Sequence, residues 1–167
     1  MRTLTQMLHQ LIKSEFSKYL NSHGFKQEMV SNSRGSKYFY RRELAVRFDL
    51  VEVKFDQYLR PRFVIEFGSV PSEGIVDSYG RRISAAKTQC YQLVENGRLY
   101  RRVFLSIGKW FRVSSIIAKI LGPEKAAHNE IQRLINLFQQ VEDWLNKGTI
   151  GSNIVIYNNM HKKIRVR

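Results

Sequence analysis

Cysteine, proline and acidic residues are all scarce in this chain, and each shortage narrows what it can be. A single cysteine, Cys90, leaves no intramolecular disulfide, which excludes the disulfide-stapled secreted class and points to the cytoplasm. Its surroundings, Lys87-Thr88-Gln89-Cys90-Tyr91-Gln92, match no nucleophile signature, so a buried structural thiol is expected. Three prolines are spread along the chain, with no Pro-, Gly- or Ser-rich linker and no internal repeat. One domain over 1–167 follows, ending in a basic tail from about residue 158. No apolar run reaches the ~18 residues that span a bilayer. His9, Gln10, Lys13, Ser14 and Glu15 break up any signal-peptide core near the start. Fourteen acidic residues face 28 Lys and Arg, a net charge of +14. Solubility alone asks for a net charge of only ~2–8, so an anionic partner is expected.

Familiar chemistry is missing too. His9, His23, His128 and His161 are scattered, none at ligand spacing from another His or Cys. There is no Gly-x-Ser-x-Gly elbow. Gly74, Gly80 and Gly97 are isolated, and none precedes a Lys-Ser/Thr pair as in a phosphate loop. No cofactor is expected.

Hydrophobic residues make up 43% of the chain, enough for a packed core. Leu4, Leu8, Leu11, Ile12, Phe16, Tyr19 and Leu20 form one face of a helix capped by Thr3 and closed by Gly24-Phe25. Pro123 opens a second helix with Ala127, Ile131, Leu134, Ile135, Phe138, Val141, Trp144 and Leu145 on one face, and Gly148 ends it. Strands are predicted over 26–30, 37–42, 44–55, 62–70 and 153–157. A phase shift at Leu50-Val51 predicts a bulge there. Residues 83–94 read as a short helix, and 99–107 with 110–115 as a hairpin around Gly108-Lys109. The fold class is α+β, an antiparallel sheet packed against an N-terminal and a C-terminal helix.

Two patterns bear on function. Glu52-Val53-Lys54 puts an acid and a lysine on one strand face, as a metal-dependent nuclease requires, with the second acid from Glu43 or Glu66. The competing reading is an exposed ladder pair on a solvated face. The other pattern is clustered basic residues beside aromatics: Arg41 and Arg42 after Tyr38-Phe39-Tyr40, Arg60 with Arg62, Arg81-Arg82, Arg101 and Arg102 after Tyr100, Lys109 and Arg112 around Trp110-Phe111, and the tail Lys162, Lys163, Arg165 and Arg167. Arginines supply phosphate contacts and exposed aromatics stack on bases. Inward aromatics with outward arginines on alternating strands explain the same pattern.

Gly24-Phe25-Lys26, Tyr38-Phe39-Tyr40-Arg41, the strand from Phe63 to Gly68, Arg101-Arg102, Trp110-Phe111 and Val141-Glu142-Asp143-Trp144-Leu145 occur in an order that resembles a family catalogued only as a domain of unknown function, the one numbered 4304. The resemblance implies a compact α+β fold and carries over no activity. The expected function is a non-enzymatic module whose basic face engages a polyanion, nucleic acid foremost, through Arg41, Arg42, Arg101, Arg102, Lys109, Arg112, Lys162, Lys163 and Arg165. An inhibitor or immunity-type protein that neutralises an acidic protein partner is the first alternative, and the nuclease the second.

Overall fold

The computed structural model describes residues 2–28, 36–77, 79–101 and 110–158. The N-terminal helix begins at α1 (Leu4–Leu11), where Thr3 and Gln6 form a reciprocal capping box. It runs through a π-turn (Ile12–Phe16) into α2 (Ser17–Ser22). The Ser17 hydroxyl donates to the Ile12 carbonyl at 3.0 Å and meets the Tyr40 hydroxyl at 2.6 Å, which fixes the wider turn. Gly24, at φ +84°, lets the amides of Gly24 and Phe25 return to the carbonyls of Asn21 and Leu20. Phe25 is thereby turned into the core.

Six strands follow one another across an antiparallel sheet in the order β1 (Lys26–Glu28), β2 (Ser36–Glu43), β3 (Arg47–Phe55), β4 (Arg62–Pro71), β7 (Glu95–Leu99), β9 (Ile154–Asn158). A seventh, β8 (Phe111–Arg112), also pairs with β4. A separate small hairpin joins β5 (Ile75–Val76) to β6 (Arg82–Ile83). α3 (Ser115–Leu121) leads into α4 (Pro123–Lys147), which Pro123 opens and Gly148, at φ +69°, closes. The architecture is α+β, with no helix among the described residues long and apolar enough to cross a membrane.

The N-terminal helix and α4 cover one face of the sheet. Leu8, Ile12, Phe16, Leu134, Phe138 and Val141 are wholly buried there with Tyr40, Val51, Val53, Phe63, Ile65 and Phe67. The opposite face is covered too. Phe39, Leu50 and Val70 pack under Ala85, Cys90 and Leu93 from the segment before β7.

That second cover corrects the bulge expected at Leu50-Val51. β3 pairs with β4 without a break from Arg47↔Pro71 to Phe55↔Phe63, because both faces are buried and consecutive apolar residues each have an interior to enter. The irregularity lies in β2, between Ser36 and Tyr38.

The helix expected over 83–94 is two short 3-10 turns, Ala85–Lys87 and Cys90–Gln92. Only single i→i+3 turns close within the segment. Arg41 donates to the carbonyls of Ala85, Ala86 and Thr88, and Glu52 accepts the Cys90 amide at 2.5 Å, so groups that a longer helix would use internally are bonded outward. The hairpin expected between 99–107 and 110–115 is also replaced in its described part. Leu99 lies opposite Ile65 and Phe111 opposite Phe63, so β8 resumes β7's line along β4. Residues 102–109 lie outside the described residues.

Candidate polyanion-binding surface

The arginines singled out in the sequence fall into different environments. Arg41 is 5% exposed, on the second sheet face; besides the three carbonyls it pairs with Glu28 at 3.0 Å. Arg42 points to the helical side, where Asp49 at 2.8 Å, Glu142 at 2.9 Å and the His23 carbonyl at 3.1 Å hold it. It ties β2 and β3 to α4. Both guanidiniums are therefore spent inside the molecule, and neither follows the outward placement that simple alternation suggests. A sheet covered on both faces leaves its central strands no solvated side.

Arg101 and Arg112 do come together. Arg101 donates to the Arg112 carbonyl at 3.1 Å and to Glu130 of α4 at 3.2 Å. Glu130 also receives the Arg112 amide at 3.0 Å and Arg133 at 2.8 Å. Burial pushes the Glu130 carboxyl above its ordinary range, against the opposing pull of Arg101 and Arg133. The Arg112 side chain itself is exposed and makes no ion pair among the described residues. A groove of about 340 Å³ opens here, lined by Arg101, Arg112 and Arg133 and by the apolar Ile117, Ile120 and Leu121 of α3. Sequence reading missed Glu130, Arg133 and α3. The signal available was Glu130 and Arg133 three apart on the helix. Arg102, Lys109, Lys162, Lys163, Arg165 and Arg167 lie outside the described residues.

Beside this groove, Arg62 sits directly opposite Arg112 across β4 and β8, with its guanidinium 4.8 Å from the Trp110 ring. Asp56 pairs with both Arg62 and Arg60.

Glu52 and Lys54 are not an exposed ladder. Glu52 lies opposite Glu66 in the register, and both carboxylates are buried. Lys54 lies 3.5 Å from Glu52 and bonds Glu66, and Arg98 takes the other Glu66 oxygen at 2.6 Å. Two acids and two bases thus balance beneath the 85–93 segment. Among the described residues no group of three or more His, Cys, Asp or Glu is placed to hold a metal ion. Burial, first, and then Glu52 and Glu66 push the neighbouring Cys90 thiol well above its ordinary value, which suppresses its reactive thiolate. His9 stacks on Phe55 at 3.7 Å and bonds the Tyr38 hydroxyl at 3.0 Å, a packing role.

Comparison with family models, with curated proteins and with solved structures returned no match.

Proposed function

We propose that this chain is a non-enzymatic binding module whose basic surface engages a polyanion, nucleic acid before others. The observation that carries the reading is how the acids are used. Nine of the fourteen carboxylates are committed to Lys or Arg within the fold: Glu28, Asp49, Glu52, Asp56, Glu66, Asp77, Glu130, Glu142 and Asp143. Among the described residues, Arg2, Lys13, Lys18, Lys26, Arg82, Lys87, Arg112, Lys119 and Lys125 are all exposed and have no acidic partner. The excess charge is therefore displayed outward, where it can neutralise phosphates and release the counterions condensed on a nucleic acid. The surface around Arg101, Arg112 and Arg133 is the favoured contact, with Arg102 and Lys109 of the adjoining segment.

A labelled oligonucleotide titrated at increasing salt tests this. Affinity is expected to fall steeply with salt, and Arg112→Gln is expected to flatten the slope by about one unit. Absence of binding even at ~50 mM salt, where counterion release favours it most, overturns the reading.

One observation favours the acidic-protein alternative. α3 exposes Ile116, Ile117, Ile120 and Leu121 beside Lys119, an apolar face that a nucleic acid would leave wet. Failure of every nucleic acid in the titration moves the proposal to that partner class.

A further inference from the structure

Two hairpin tips, far apart in sequence, are built alike. Asp56-Gln57-Tyr58-Leu59-Arg60 links β3 to β4, and Asp77-Ser78-Tyr79-Gly80-Arg81 links β5 to β6. In each, the first aspartate accepts the tyrosine amide, at 2.7 Å from Tyr58 and 2.9 Å from Tyr79. In each, the aspartate carbonyl receives the amide of the fourth residue, at 3.2 Å from Leu59 and 2.9 Å from Gly80. That fourth residue is left-handed in both, at φ +58° for Leu59 and +77° for Gly80. The aspartate then pairs with the arginine that closes the motif, Arg60 at 3.3 Å and Arg81 at 2.8 Å. Finally, each guanidinium lies 5.2 Å from the centre of its tyrosine ring.

The product of all these contacts is an exposed ring. Tyr58 is 69% and Tyr79 82% exposed, among the most open large side chains described. A hairpin needs a turn, but not a tyrosine held under a guanidinium at the solvent. Leucine in the left-handed region is costly, yet β3–β4 adopts it and reproduces the geometry that glycine gives the other tip. What such a ring offers is a preformed stacking face beside a cation. Arg60 gives its Nε–H to Asp56, which leaves guanidinium donors for a phosphate oxygen.

We propose that Tyr58 and Tyr79 are stacking platforms for unpaired nucleobases, each with its arginine taking the accompanying phosphate. The inference rests on the polyanion reading above and narrows it to single-stranded nucleic acid. Bases in a duplex are already stacked and keep their faces from both rings, whereas every unpaired base has a face to give.

The test compares three labelled probes: a single-stranded oligonucleotide, its duplex, and heparin, which carries charge without bases. Wild type is expected to bind the single strand most tightly. Tyr58→Ala and Tyr79→Ala are each expected to weaken the single strand roughly five- to hundredfold, with the salt slope unchanged, since stacking releases no counterion. Binding of heparin and duplex should not move, and Tyr58→Phe and Tyr79→Phe should keep the single-strand affinity. Equal losses on all three probes, or none on the single strand while all three still bind, overturn the platforms and leave the polyanion reading standing. No binding of any probe by wild type overturns both.

Discussion

Around Phe138 the rings of Phe16, Tyr19 and Phe25 approach edge to face, at 5.5, 5.8 and 6.3 Å between centroids. These contacts join α4 to the C-terminal half of the N-terminal helix and to the chain just after it. Phe138→Ala is expected to cost ~3–5 kcal/mol, measured by denaturant unfolding, because the fixed rings cannot collapse into the space. A loss under about half a kcal/mol would contradict the burial assigned to this helix face. The position was legible in the sequence through its three- and four-residue spacing to Leu134 and Val141. Arg41 was not. Its neighbours announce an alternating strand, and nothing local says that residues 85–88, more than forty positions on, will fold over it and accept three of its hydrogen bonds. A side chain's chemistry is local, but its burial is decided by whatever packs above it.

The helices illustrate the same limit at the next scale. Thr3, Gly24, Pro123 and Gly148 mark ends that sequence alone predicts, since caps are satisfied within a few residues. The π-turn inside the first helix was invisible, because it depends on Tyr40 meeting Ser17 from another element. Burial raises the Tyr40 phenol to about 12, although the Ser17 hydrogen bond pulls the other way. Ser17→Ala is expected to destabilise the protein by ~1–3 kcal/mol, because it leaves a buried phenol hydroxyl without its partner. Thermal unfolding of Ser17→Ala alongside the double variant Ser17→Ala/Tyr40→Phe separates the causes. The second change should recover part of the loss. If it adds to it instead, the hydroxyl pair is not what holds the turn. The same reasoning explains the missed turns over 85–92 and the missed α3. Short elements lack the periodicity that reveals long ones, and the 85–92 turns are held in part by Arg41 and Glu52, far off in sequence.

For the whole molecule, the internal ion pairs and the outward cations act together when pH changes. Burial pushes the Asp56 carboxyl up, but hydrogen bonds from the Tyr58 amide and from Arg62 and Arg60 outweigh it and hold the group below its ordinary 3.8. Hydrogen bonds from the Arg81 amide and side chain do the same for Asp77. A depressed acid contributes stability that is present above its unfolded value and lost as pH falls through its folded value. Glu130 works in reverse. Its raised value means the native state takes a proton first, so mild acid relieves the cost of its buried charge. Melting temperature is therefore expected to hold or rise slightly as pH falls from neutral towards about 5, then to drop below about pH 4. By then the carboxylates no longer offset 28 cations. Added salt should soften that drop by screening the repulsion. A melting temperature that stays flat down to pH 3 would mean the ion pairs contribute nothing net.

Leu99 lies opposite Ile65 and Phe111 opposite Phe63, so one edge of β4 receives the chain at two stations two residues apart. The first station carries Arg98 with its buried partner Glu66, and the second carries Arg112 with its amide on Glu130. A single strand is thus the common footing of an interior ion pair and of the outer basic surface. Whatever tilts β4 moves both together.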